Sequence, residues 1–174
     1  MTKLRMAVAW FAVLLVAIGG ANLYFGHTTA TLMLKVKDPP LSWGDADVVE
    51  IHYSAIEIHR SDADEKNGWV SICKEGWIDL STALDVEKVI NEAKLEPGVY
   101  NIIRFEVLEA KITIDDASRE VKVSSGKLNI PITKGGITLS GGQTSNLVID
   151  IEPRVVGSKN SGYMLIPAAK AVPG

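Results

Sequence analysis

The chain has 174 residues, 47% of them hydrophobic and 22% charged, with a formal net charge of −3. That length suits one domain with a proper core. The scattered lysines exclude the basic patch that nucleic-acid binding needs. Removing residues 1–21 takes away Lys3 and Arg5 and no acid, leaving −5. Cys73 is the single cysteine, so no intrachain disulfide can form and stability must come from the core. It sits in the apolar run Trp69-Val70-Ser71-Ile72-Cys73 and reads as a small buried hydrophobe.

The first 26 residues decide the compartment. Lys3 and Arg5 precede an apolar run from Met6 to Phe25, and no acid appears before Asp38. This is the pattern of a signal anchor or a signal peptide. As a helix, the 20 residues from Met6 to Phe25 would span about 30 Å, the thickness of a bilayer core. Met6, Trp10, Phe11, Leu14, Leu15, Ile18 and Phe25 are its membrane-facing candidates. Gly19-Gly20-Ala21 interrupts the run and offers a cleavage site after Ala21, with Ala30 as a second. A pilin-type leader is a third reading. In the anchored case the lysine and arginine stay in the cytoplasm and the C-terminal domain faces outward. Cleavage would make the domain secreted, or part of a surface filament.

Residues 27–30 read as a spacer, and a first strand is expected from Thr31 to Lys37, stopped by Asp38-Pro39-Pro40. Val48 to Arg60 is the longest strand candidate. Val49, Ile51 and Tyr53 share one phase, Ile56 and Ile58 the other, which places a β-bulge near Ser54-Ala55. A charged turn follows from Ser61 to Gly68, and Trp69 to Cys73 returns as the partner strand. Trp77 to Leu80 is a short extended piece. Val86, Val89, Ile90 and Ala93 recur at helical spacing, which predicts a helix over Val86 to Leu95. Strands are expected at Tyr100–Leu108, Ile112–Ile114, Val121–Val123, Leu128–Ile132, Ile137–Leu139, Leu147–Ile151 and Tyr163–Ile166. The pair at 112–114 and 121–123 forms a hairpin around Asp115-Asp116-Ala117-Ser118.

About nine short strands and one short helix describe an all-β fold: a single β-sandwich of immunoglobulin or prealbumin type over residues 31–170. An apolar helix precedes it and a tail, 171–174, follows.

Several stretches carry a resemblance. Glu57-Ile58-His59-Arg60, a polar turn and Gly68-Trp69-Val70 look like the first hairpin of the family called domain of unknown function 4382. Leu95-Glu96-Pro97-Gly98-Val99-Tyr100-Asn101-Ile102-Ile103-Arg104-Phe105 resembles its central signature. Val123 to Leu128 and Gly162 to Pro167 resemble its later strands. The resemblance covers roughly residues 31–170 and implies an exported β-sandwich, with no established activity.

Candidate sites are few. Asp62-x-Asp64-x-Lys66 faintly suggests a calcium loop, but Lys66 holds a ligand position, and Asn67 and Cys73 stand where a glycine and a closing glutamate belong. A solvated turn is the simpler reading, and no metal is assigned. His52 and His59 are seven apart, on opposite faces of a strand unless the bulge restores one face. Zinc would need a third ligand. His27 lies in the spacer. Arg104 sits mid-strand and suggests an ion pair with Asp79 or Glu106, or a ligand contact. Trp43, Trp69 and Trp77 suggest an aromatic platform for a sugar, or core packing. No Gly-x-Ser-x-Gly element occurs, and Gly135-Gly136 and Gly141-Gly142 lack the strand–helix context of a phosphate loop. No enzyme activity and no cofactor are expected.

The resulting expectation is an extracytoplasmic, membrane-anchored β-sandwich module for cell-envelope structure or for contact with an envelope protein or polymer. The alternatives are a filament subunit that self-associates by strand addition through Thr28 to Val36, and a glycan or small-ligand binder.

Overall fold

A computed structural model describes residues 28–37, 43–83 and 86–174. The apolar leader with its seven membrane-facing candidates, His27, the Asp38-Pro39-Pro40 stop and Leu84-Asp85 lie outside the described residues. Among the described residues no helix is long and apolar enough to cross a membrane.

Among the described residues twelve strands form two sheets. In chain order they are β1 (Ala30–Lys37), β2 (Val48–Arg60), β3 (Trp69–Asp79), β4 (Lys88–Leu95), β5 (Gly98–Ile114), β6 (Ala117–Val123), β7 (Lys127–Pro131), β8 (Ile137–Leu139), β9 (Thr144–Ile151), β10 (Arg154–Ser158), β11 (Gly162–Ile166) and β12 (Ala169–Pro173). The small sheet runs β12-β9-β1-β4 and the large sheet β10-β11-β6-β5-β2-β3, with β7 and β8 pairing with β5. Most neighbours are antiparallel, but β1 runs parallel to β9 and β11 parallel to β6.

Alternation explains the layering. In β1, Ala30, Leu32, Leu34 and Val36 are buried while Thr31, Met33, Lys35 and Lys37 face outward. Side chains two apart share a face of a strand. Leu147, Ile149 and Ile151 of β9 join them. Opposite lie Ile51, Ile56 and Ile58 of β2 and Ile103, Phe105 and Ile112 of β5. These inner faces make one core, as a sandwich requires.

The expected bulge in β2 exists, and β5 carries its counterpart. His52 pairs with Glu109, Tyr53 with Val107 and Ala55 with Glu106. Leu108 and Ser54 are therefore each skipped, and the second slip restores the register lost at the first. This bend lets Tyr53 and Ile56 both point inward despite their odd spacing.

Three expectations are corrected. Val86 to Leu95 is not a helix: Lys88 to Leu95 form β4, which pairs antiparallel with β1 from Leu95 opposite Ala30 to Lys88 opposite Val36. A short helix of that length is marginal in water, whereas a strand there satisfies the open side of β1. A bulge beside Leu34/Lys35 hides the alternation that would have revealed it. Among the described residues the helical turn that does occur is a 3₁₀ turn at Leu80–Ala83. Secondly, Tyr100–Leu108 and Ile112–Ile114 are one strand, β5, bent at Leu108. Thirdly, residues 171–173 of the expected tail belong to β12, where Ala171 is fully buried, and Ala30 of the expected spacer opens β1. β10, a strand not expected at all, passes through Gly157 at φ 109°, a conformation that reads as loop in a sequence.

The two sheets are tied at both sides. Ile132 bridges to Ala171, and the Thr133 amide donates to the Ala171 carbonyl at 2.8 Å. On the other side, the Asn91 side-chain amide on β4 donates to the Ile72 carbonyl on β3.

Candidate functional site

The outward face of β3, β2 and β5 carries the chemistry. Register puts Trp69 beside His59 and Trp77 beside His52 on β2, then Ile102 and Glu109 beyond them on β5. The paired bulges bring both histidines to this outer face, although their positions differ by seven, an odd spacing. They belong to two separate clusters.

In the first cluster, the Arg104 guanidinium lies over the Trp69 ring, 3.8 Å from its centre. Its Nε and Nη2 both donate to Glu57 Oε2, at 2.9 and 2.5 Å. Arg104 thus makes the ion pair expected of it, but with its cross-strand neighbour Glu57. Asp79 accepts instead from the Ser81 amide and hydroxyl in the 3₁₀ turn, and Glu106 pairs with Lys127 at 2.6 Å. The Lys127 contact holds the Glu106 carboxyl below its usual range. His59 meets Trp69 edge-on, with ring centres 4.9 Å apart. The His59 ring is buried, with Nδ1 3.3 Å from Asn101 Oδ1 and Nε2 3.0 Å from the Asp64 carbonyl. The Trp69 indole N–H donates to the Glu65 carbonyl at 2.8 Å. This cluster is a lock on the β2–β3 turn.

That turn accounts for Asp62 and Asp64. Asp62 receives Arg60 through both carboxylate oxygens, at 2.9 and 2.8 Å. Asp64 accepts from the Asn67 side-chain amide and from the Lys66 and Asn67 backbone amides. Those bonds lower its pKa, led by the Asn67 side chain; Arg60 does the same for Asp62. The oxygens of the calcium candidate are turn partners. Among the described residues no group of three His, Cys, Asp or Glu is placed to hold a metal.

The second cluster is more open. The His52 and Trp77 rings stack at 4.5 Å and 6°. His52 Nε2 lies 2.9 Å from Glu75 and Nδ1 3.5 Å from Glu109. The Lys111 ammonium sits 4.4 Å from the centre of the same indole and 3.7 Å from Glu109. Trp77 remains 42% exposed.

The three tryptophans do not share a surface. Trp43 is buried in the loop before β2, packed with the core. Trp69 and Trp77 stand eight residues apart on one face of β3, each already covered on its ring by a cation or an imidazole. Sequence reasoning found Arg104 and the tryptophans but missed Glu57, Glu75, Glu109 and Lys111. Those charges become visible only once strand register is known, because cross-strand neighbours are set by pairing and not by chain distance.

Cys73 is half-buried, and its sulfur lies 3.3 Å from the Tyr53 hydroxyl. Burial, then that contact, pushes the Tyr53 phenol above its usual range. Thr28 to Val36, watched as a strand donor, mostly forms β1, which is paired on both sides by β4 and β9. Donating it to another copy would require pulling it from the middle of its own sheet.

Fold and site together define a two-sheet sandwich that presents a cross-linked polar and aromatic face. The chain belongs to the family described as domain of unknown function 4382, whose model matches residues 29–167. This is the family its hairpin and Pro-Gly-x-Tyr segments resemble. No curated protein matches the chain at a significant level. Among solved structures it is similar to a candidate cell adhesion protein from Bacteroides fragilis, with 15% identity and a TM-score of 0.32. A candidate cell adhesion protein from Bacteroides ovatus matches with 9% identity and a TM-score of 0.25. Each match covers 82% of this chain and 44% of the other, so the chain spans less than half the length of either protein.

Proposed function

We propose that the chain is a non-enzymatic, extracytoplasmic module held at the cell membrane by residues 6–25, working by surface contact with another envelope protein or polymer. Its immunoglobulin- or prealbumin-like sandwich serves as a rigid display scaffold. The observation that carries this reading is the outer face of β3, β2 and β5. Trp77, His52 and Lys111 hold one another in place, and Arg104 and Glu57 hold each other. Side chains fixed before binding lose little entropy on contact, and Trp and Arg are the residues that dominate interface energies. The basic lead and apolar run ahead of the domain support that location.

Mass spectrometry of the N-terminus, in membrane, soluble and shed-filament fractions, tests the anchor. An intact N-terminus in membranes, with the domain digested by protease added outside intact cells, is the expected result. A start near Asn22 or Thr31 overturns the anchored reading in favour of a secreted one. Protection from external protease in intact cells would overturn the outward placement.

Glycan binding is the second reading, favoured by the exposure of Trp77. It requires Trp77 fluorescence to change on titration with polysaccharide and the change to vanish in Trp77→Phe.

A further inference from the structure

We propose that the outer edge of β4 is a two-fold docking surface for a second copy of this chain, joining two four-stranded sheets into one. The inference goes beyond the reading above and holds wherever the domain is displayed.

β4 pairs with β1 on one side, and among the described residues no strand pairs with the other. No strand pairs with the backbone groups pointing away from β1, although β3 approaches β4 through the Asn91 side chain, so this edge is a template for another strand. Glu92 and Lys94 stand two apart on the outward face of β4, opposite Met33 and Thr31 of β1. Both are exposed, and neither enters an ion pair among the described residues. An acid and a base free on one edge are self-complementary under a two-fold axis. With antiparallel pairing centred on Ala93, Glu92 of each copy falls directly opposite Lys94 of the other.

Other registers fail on charge or backbone. An axis through Glu92 or Lys94 opposes like charges, and one through Asn91 sets Lys94 against Lys88. An axis through Ile90 would pair Glu92 with Lys88, but Lys88 already donates to the Thr82 hydroxyl at 2.7 Å and Ile90 lies at the bulge. Charged edges resist indiscriminate strand pairing. An axis through Leu95 sets Lys94 against Glu96 but places Pro97, which has no amide hydrogen, opposite Ala93, so the register centred on Ala93 is the one that matches both charge and backbone.

The edge also has an apolar end. Trp77 and Val89, both exposed, rim a slot of about 190 Å³ between the sheets, lined further by Val36, Tyr53, Ile78 and Ile90. Antiparallel docking on Ala93 brings the second copy's Glu96-Pro97 turn toward that rim. An eight-residue edge is a small interface, so the dimer is weak, with dissociation on the order of micromolar.

The test uses the full chain in mild detergent at tens of micromolar, by light scattering and by oxidative cross-linking of Ala93→Cys in a Cys73→Ser background. Directly opposite residues in an antiparallel pair lie about 4.5–5.5 Å apart at Cα, within disulfide range. Ala93→Cys is expected to cross-link at least about tenfold faster than the exposed control Leu108→Cys. Glu92→Lys should weaken the dimer about tenfold, and the exchange Glu92→Lys with Lys94→Glu should restore it. Equal cross-linking at Ala93→Cys and Leu108→Cys overturns the proposal. So does a dimer indifferent to Glu92→Lys, which would place association on the leader or another surface.

Discussion

Trp69 and Trp77 occupy the same face of the same strand, and each follows a glycine, yet they do opposite things. Trp69 is roofed by Arg104, pinned through its N–H to Glu65 and met by the buried His59 ring. Trp77 stacks on His52 beside Lys111 and keeps 42% of its surface in water. The difference lies in what the neighbouring strand delivers. At Trp69 the turn reaches back to the ring's N–H; at Trp77 only the His52 ring and the Lys111 ammonium meet the indole, and no turn closes over it among the described residues. An aromatic residue in a strand is thus a structural pin or an available surface according to its neighbours.

Breaking each side separately sharpens that contrast. Trp69→Ala should cost about 2–4 kcal/mol of stability in chemical denaturation, because it strips the ring from Arg104 and His59 together. Trp77→Ala should stay within about 1 kcal/mol while removing any contact function. Equal losses at the two positions would erase the distinction.

Gly68→Ala tests the same lock by overfilling it. A Cβ there would sit 2.5 Å from His59 Nε2 and 2.8 Å from the Ala63 Cβ, so the ring must move. The expected cost is about 1–3 kcal/mol, read as a lowered denaturation midpoint.

The smallest effect is electrostatic. Asp64 has a lowered pKa in the folded chain because its carboxylate receives Asn67 and two backbone amides. A lowered folded pKa adds stability that is present above the unfolded value, about 3.9, and is lost as pH falls through the lower folded one. The Asp64 carboxyl should therefore titrate below the ordinary aspartate value by NMR, with the Lys66 and Asn67 amide shifts following it. A midpoint at or above the ordinary value would remove Asp64 from the lock.

Much of this was legible in the residues. Alternation set β1, β2 and β9, and the phase change between Tyr53 and Ile56 announced the bulge. The Pro-Gly turn and the long strand after it marked the family signature. Where alternation failed, so did the reading: β4 hid behind a bulge and a helical coincidence of Val86, Val89 and Ile90. β12 hid in the Ala-rich stretch between Pro167 and Pro173. Arg104 announced an ion pair, but its partner lay 47 residues away on a strand whose register no local pattern fixes.

The sequence by itself determined the apolar leader, the all-β character and the inward residues, because these follow from local hydrophobicity and a period of two. Only the tertiary structure decided which strands lie side by side. That choice paired Glu57 with Arg104, set His52 against Trp77 and, among the described residues, left the edge of β4 without a pairing strand. Pairing depends on burying a common core between two sheets, a property of the whole chain and not of any segment within it.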